Sequence, residues 1–119
     1  AVWVEGDEFR IAQVVRNLLT NSVRHTAAGR IDVRVLPGAD RVRVEVSDTG
    51  EGIAAEDLPF IWERFYRADV ARASSTGGSG LGLAIARRIV ADHGGTVFAS
   101  STEGAGSTIG FEVPATGEA

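Results

Sequence analysis

One stretch of the chain carries amide and guanidinium side chains at helical spacing. Gln13, Asn17 and Asn21 follow one another every four residues, and Arg24 comes three residues later. On a helix these four side chains lie within a polar stripe that spans about 80°, beside an apolar face. Asparagine is a poor choice inside a helix because its side chain competes with the backbone for hydrogen bonds. Amide oxygens one turn apart, with an arginine beyond them, could hold a hard cation and a phosphate. A solvated helix face is the alternative.

Two glycine-containing segments adjoin predicted regular elements. Asp48-Thr49-Gly50-Glu51-Gly52 follows a strand, and Gly77-Gly78-Ser79-Gly80-Leu81-Gly82-Leu83 leads into a helix. Glycines of this kind let backbone N–H groups approach phosphates at a helix N-terminus. A β-turn and a flexible hinge are the structural alternatives. Residues 50–55 also fit a dinucleotide fingerprint, but the sequence after them interrupts the required crossover helix, which argues against that site.

Hydrophobic periodicity predicts the elements that would position these residues. We expect a short strand at 2–5, a helix from the N-cap Asp7 to near Thr26, and a hairpin of strands 31–36 and 42–46. A short helix at 58–65, a mobile loop at 66–79, a helix at 80–93 and strands at 96–100 and 108–113 follow. About five strands and two main helices predict an α+β fold, a two-layer sandwich with its helices on one face.

Composition narrows the possible functions. The chain has 119 residues and a net charge of −4, which fits one domain and argues against a nucleic-acid-binding face. All 12 basic residues are arginine, so the lysine of a P-loop, of the protein-kinase fold or of a Schiff base is absent. Cysteine is also absent, which excludes thiol chemistry. No signal peptide or membrane-spanning run is predicted.

Four ordered segments resemble the boxes of bacterial sensor histidine kinases. They match the N box (13–26), the G1 box (48–53), the F box (60–69) and the G2 box (77–83), with a lid at 66–79. The resemblance runs from about Asp7 to Pro114, within a single domain at 1–119. It implies the Bergerat ATP-binding fold, an α/β sandwich with a mixed, mostly antiparallel sheet and an ATP lid. ATP and Mg²⁺ are the implied cofactors.

The same resemblance assigns the residues around the phosphates. Asn21 matches the magnesium ligand that bridges the triphosphate, and Asn17 matches a residue that supports the metal or its waters. Arg24 replaces the usual lysine that faces phosphate, although its planar fork differs from an ammonium. His25 matches a residue near the phosphates, and Arg67 matches a basic residue near the γ-phosphate. Asn17, Arg24 and Arg67 are therefore the predicted catalytic residues.

The remaining assignments concern the base and the lid. Asp48 matches the aspartate that accepts from the adenine amino group. The other predicted cofactor-binding residues are Gly50, Gly52 and Ile53 beside the base, Gly78, Gly80, Leu81 and Gly82 at the lid and following helix, and Thr108.

The resemblance implies a donor domain that passes the γ-phosphoryl group of ATP to a histidine elsewhere. The family's phosphoacceptor is a helical histidine followed by an acidic residue, whereas His25 is followed by Thr26 and His93 by Gly94. The expected partner is a histidine-containing dimerisation domain of the same kinase or of a split subunit, with a response regulator acting indirectly. We expect a cytoplasmic location with no contact to nucleic acid or membrane by this domain, although the parent protein could be membrane-anchored. Three alternatives are a related-fold ATPase, an anti-sigma-type serine kinase, and a nucleotide-binding module without turnover.

Overall fold

The computed structural model describes residues 6–26, 28–63 and 82–115. Along these ranges lie α1 (Glu8–His25), β1 (Ile31–Pro37), β2 (Arg41–Asp48), a 3-10 turn (Leu58–Phe60), α2 (Gly82–Asp92), β3 (Thr96–Thr102) and β4 (Gly106–Pro114). The strand predicted at 2–5 and the loop predicted at 66–79 lie outside the described residues.

The four described strands form one sheet in the order β1-β2-β4-β3, and every pairing is antiparallel. Alternate residues of the two central strands are buried because successive side chains of a strand point to opposite faces. These side chains join residues of both helices in one hydrophobic core, with Val42, Val44 and Val46 from β2 and Ile109, Phe111 and Val113 from β4. The predicted two-layer α+β sandwich is therefore confirmed.

Helix α1 begins where the sequence predicted. The Asp7 carboxylate accepts hydrogen bonds from the backbone N–H groups of Phe9 (3.0 Å) and Arg10 (3.3 Å), as an N-cap residue does. The helix buries Val14 and Leu18 against the sheet and ends at the C-cap Thr26. No helix in the described ranges is long and apolar enough to span a membrane.

Helices α1 and α2 pack side by side, and polar contacts join the start of α1 to the end of α2. The Asp7 N–H donates to His93 Nε2 (3.1 Å), while His93 Nδ1 lies 2.8 Å from the Ile89 carbonyl oxygen. Because that carbonyl can only accept, Nδ1 is the protonated nitrogen and the ring is neutral. Arg10 Nη2 lies 3.1 Å from Asp92 Oδ2. Burial acts to raise the pKa of Asp92, but its hydrogen bonds with Arg10 and Arg88 outweigh that effect and lower it.

Two predictions differ from the described structure. Alternation with Asp32 and Arg34 predicts that Val33 and Val35 face the core, yet they are 46% and 61% exposed. They share the face of the buried β2 valines, but β1 is an edge strand and α1 packs over β2 instead. The predicted short helix at 58–65 is represented in the described range only by the 3-10 turn Leu58–Phe60, which has Pro59 near its start.

Candidate functional site

Asp48 is the last residue of β2 and lies at the carboxyl end of a central strand. Its side chain is 7% exposed. One carboxylate oxygen, Oδ1, accepts from the Gly50 N–H (3.0 Å), and the other, Oδ2, accepts from the Ser107 hydroxyl (3.0 Å). A carboxylate offers about four acceptor positions, so two donors leave capacity for a further one. The site therefore contains a buried, oriented acceptor.

The glycines after Asp48 are required by the protein's own backbone. A Cβ on Gly50 would collide with the His25 carbonyl oxygen, and a Cβ on Gly52 would collide with the Thr102 carbonyl oxygen. Gly52 also has φ +74°, a conformation that L side chains rarely adopt. These two glycines thus let the segment after β2 pack between the end of α1 and the β3–β4 turn. Direct contact of either glycine with a cofactor stays a prediction.

Hydrogen bonds fasten this segment to the β3–β4 turn. The Ile53 N–H donates to Ser101 Oγ (2.6 Å), and the Ser101 hydroxyl donates to the Gly106 carbonyl oxygen (3.0 Å). The Gly104 N–H donates to the Glu51 carbonyl oxygen (2.7 Å). Ile53, predicted to line the base pocket, is consequently held beside the strand end that carries Asp48.

The predicted polar stripe of α1 divides into residues with different surroundings. Asn17 Nδ2 donates to the carbonyl oxygen of Gly82, the first residue of α2 (3.0 Å). Asn21 is half-buried and makes no side-chain hydrogen bond to the described part of the chain. Arg24 is exposed, and His25 Nδ1 lies 3.1 Å from Glu51 Oε1. The described geometry therefore leaves Asn21 available to a ligand and engages Asn17 with the second helix.

The structure reveals two hydroxyl groups that the sequence does not single out, those of Ser107 and Ser22. Thr108, predicted to bind the cofactor, lies on the opposite sheet face, with Oγ1 2.8 Å from Ser47 Oγ. Its neighbour Ser107 is the residue that bonds Asp48. Ser22 of α1 is fully buried, and its Oγ has no hydrogen-bond partner among the described residues. The buried Oγ1 of the C-cap residue Thr26 also has none among them. The bond of Ser107 to Asp48 follows from the register of β2 against β4, and the burial of Ser22 follows from the packing of α1. Neither can be read from the local sequence.

Four predicted site residues, Arg67, Gly78, Gly80 and Leu81, lie outside the described residues. Gly82 is described, and a Cβ on it would meet no atom of another described element within 4 Å. Its conformation is not in the left-handed region either, in contrast to Gly52. The described contacts alone therefore do not require a glycine at the start of α2.

The chain matches known proteins over nearly all of its length. The family model of histidine kinase-, DNA gyrase B- and HSP90-like ATPases matches residues 6–117. The chain is 39% identical over 116 residues to the sensor histidine kinase WalK of Bacillus subtilis, covering 95% of this chain and 19% of that protein. It is 41% identical to the sensor histidine kinase YclK of the same organism, covering 97% and 24%. The chain thus spans about a fifth to a quarter of these relatives.

Solved structures agree with the sequence relatives. The mycobacterial sensor histidine kinase MprB superposes with a TM-score of 0.81 at 28% identity, covering 97% of this chain and 76% of that one. Full-length ShkA, solved in complex with AMPPNP, superposes with a TM-score of 0.84 at 35% identity, covering 98% and 24%. The chain therefore belongs to the histidine kinase-, DNA gyrase B- and HSP90-like ATPase family, as a catalytic domain of the sensor histidine kinase type.

Proposed function

We propose that this domain binds Mg–ATP and donates its γ-phosphoryl group to a histidine on a separate domain. The observation that carries the proposal is the buried Asp48 carboxylate, oriented by Gly50 and Ser107 and with acceptor capacity left over. The exocyclic amine of adenine donates hydrogen bonds, whereas guanine carries a carbonyl oxygen at that position. An oriented carboxylate therefore favours adenine over guanine nucleotides. The AMPPNP bound by ShkA is consistent with this choice.

The described residues suit a magnesium ion that arrives with the nucleotide. They contain no group of three or more His, Asp or Glu side chains able to hold a metal ion. Mg²⁺ prefers oxygen ligands, keeps several waters and is commonly bound through substrate phosphates. The half-buried Asn21 amide, which has no partner among the described residues, would add one oxygen ligand. When bound, the ion would neutralise charge on the triphosphate.

Transfer to histidine fits the described site better than hydrolysis. The family resemblance implies that a related-fold ATPase would have a glutamate one turn before the residue that matches the magnesium ligand, as a base for water. This chain has Asn17 there, and an amide cannot abstract a proton. Phosphoryl transfer requires mainly positioning and charge stabilisation from the protein. The imidazole nitrogen of the acceptor would attack phosphorus as the bond to the ADP oxygen breaks, leaving phosphohistidine and ADP.

The partner in this proposal is the histidine-bearing dimerisation domain of the same kinase or of a split subunit. The curated relatives are four to five times longer than this chain, so they have room for such a domain. A response regulator would receive the phosphoryl group afterwards, and the reaction would take place in the cytoplasm.

We expect Asn21→Ala to remove the magnesium-dependent part of ATP binding and leave the fold intact. Asn21 is half-buried outside the hydrophobic core, so its truncation opens no core cavity. Calorimetric titrations with ATP in magnesium and in EDTA measure this effect. The parent chain should bind ATP more tightly in magnesium, whereas Asn21→Ala should bind it with the same affinity in both solutions. Unfolding of the variant, measured by circular dichroism, would show that Asn21 is a structural residue instead.

We expect phosphoryl transfer to appear only when an acceptor domain is added. With γ-labelled ATP, the isolated domain should neither label itself nor release phosphate quickly. His93 is neutral and bonded at both ring nitrogens, and His25 faces Glu51. Adding the dimerisation helices of a cognate kinase should produce acid-labile, base-stable label on that partner. Label on His25 or His93, or fast hydrolysis by the domain alone, would contradict the proposal.

A further inference from the structure

Asn17 is engaged with the second helix rather than turned toward solvent. Its side-chain amide lies 3.0 Å from the carbonyl oxygen of Gly82. A carbonyl oxygen can only accept, so the group that Asn17 presents to it must be its NH₂. This requirement fixes the orientation of the amide from chemistry alone.

The bond is not needed to satisfy Gly82. In an α-helix the carbonyl of the first residue accepts from the N–H four residues later, which here is Ala86. A carbonyl has a second lone pair, and Asn17 uses it. The bond therefore does not rescue a buried polar group. Instead, the bond fixes the position of Gly82, the first residue of α2, relative to α1.

Asn17 is also one of several polar attachments along the two antiparallel helices. At the other end of α2, Asp7 is bonded to His93 and Arg10 to Asp92. Between these ends the helices share a dry core that includes Val14 and Ala86. The far end of α2 is thus held by two polar bonds and the packed middle by apolar contact. At the start of α2, Asn17 provides the polar bond described in the structure.

The position of the backbone N–H groups at the start of α2 would affect how well they bind a ligand. The first N–H groups of a helix have no partners within the helix and carry partial positive charge. No other described element lies within 4 Å of the Cβ position of Gly82, and the sequence before it, Gly77–Gly82, is rich in glycine. Donors that bind a ligand must be held within about 0.5 Å of their productive geometry. A bond that fixes Gly82 would therefore act on ligand affinity.

We propose that Asn17 is a positioning residue, whose amide holds the first carbonyl of α2 and thereby aligns the backbone N–H groups at the start of that helix with the triphosphate. This rests on the proposed ATP binding. It replaces the role of metal support that the family resemblance implies for Asn17. Asn17 would act through the Gly82 backbone, and Asn21 alone of the two would act on the metal.

Two substitutions separate the roles. Asn17→Asp keeps the size and an oxygen but loses the donor, while Asn17→Ala loses both. If Asn17 positions α2, both variants should bind ATP about three- to tenfold more weakly, the loss expected for one hydrogen bond. The loss should be equal in magnesium and in EDTA, so the ratio of the two affinities stays at the parent value. Ala12→Glu adds a negative charge at an exposed position of the same helix, outside the N box, and should bind ATP as the parent chain does.

A metal-supporting role makes the opposite forecast. Asn17→Asp would then keep or increase the magnesium-dependent ratio, because carboxylates are good Mg²⁺ ligands, and only Asn17→Ala would lower it. That result would overturn the proposal. Equal affinity of both variants and the parent chain would overturn it as well.

Hydrogen exchange without nucleotide tests the positioning directly. The amide of Ala86 should exchange at least threefold faster in both Asn17 variants, and at the parent rate in Ala12→Glu. Unchanged exchange at Ala86 would overturn the proposal even if ATP affinity fell. If the parent chain bound no ATP, the proposed function would fail, and this exchange measurement would still decide whether Asn17 holds α2.

Discussion

Asp48→Asn is expected to weaken ATP binding by about 1.5–3 kcal/mol, which is roughly 10- to 150-fold in affinity. The substitution keeps the shape of the side chain and replaces one acceptor oxygen with a donor. The Gly50 N–H can still donate to the remaining oxygen, and the Ser107 hydroxyl can rotate to accept from the new NH₂. The fold should therefore survive while the charge-assisted bond to adenine is lost.

Isothermal titration calorimetry with ATP and GTP gives the measurement. The parent chain should bind ATP more tightly than GTP. In Asp48→Asn the difference between these two affinities should be smaller, because an amide can donate to the guanine carbonyl. Asp32→Asn is a matched control, since Asp32 is an exposed residue of β1 paired only with Arg30 in the described structure. Unchanged ATP affinity in Asp48→Asn would show that the carboxylate does not read the base.

Local signals in the sequence predicted most of the described fold. The Asp7 cap and the apolar spacing of α1 predict a helix that ends near Thr26, and the structure has it at Glu8–His25. Alternating valines predict the β1–β2 hairpin, which the structure confirms. These features are readable because each depends on residues within a few positions of one another.

Contacts between distant segments could not be read in this way. Asp48 and Ser107 are 59 residues apart, and their bond depends on the register of β2 against β4. Asn17 and Gly82 are 65 residues apart, and their bond depends on how the two helices pack. Alternation shows which face Val33 occupies but not whether a helix covers that face. Thr108 is a predicted site residue and Ser107 is not, because the strand register that places Ser107 beside Asp48 cannot be read from the local sequence.

Gly106→Ala is expected to destabilise the domain by about 2–5 kcal/mol. Gly106 has φ +128°, and a Cβ on it would collide with the carbonyl oxygen of Asp48. The cost combines backbone strain with a clash between two neighbouring strands, where neither backbone can move without breaking the sheet. Since a domain of this size has about 5–15 kcal/mol of stability, the loss is a large share of the total.

Urea unfolding of two matched variants separates the clash from the strain. Gly104 has φ +85° but open space around its Cβ position, so Gly104→Ala should cost only about 1–2 kcal/mol. Gly82 has open space and no left-handed backbone, so Gly82→Ala should be neutral or stabilise the helix by up to about 1 kcal/mol. If Gly106→Ala cost no more than Gly104→Ala, the close approach of β4 to Asp48 would be wrong. A larger cost in Gly106→Ala would mean that the backbone contact behind Asp48 is tight, and that the carboxylate is held from the strand beneath it as well as by Gly50 and Ser107.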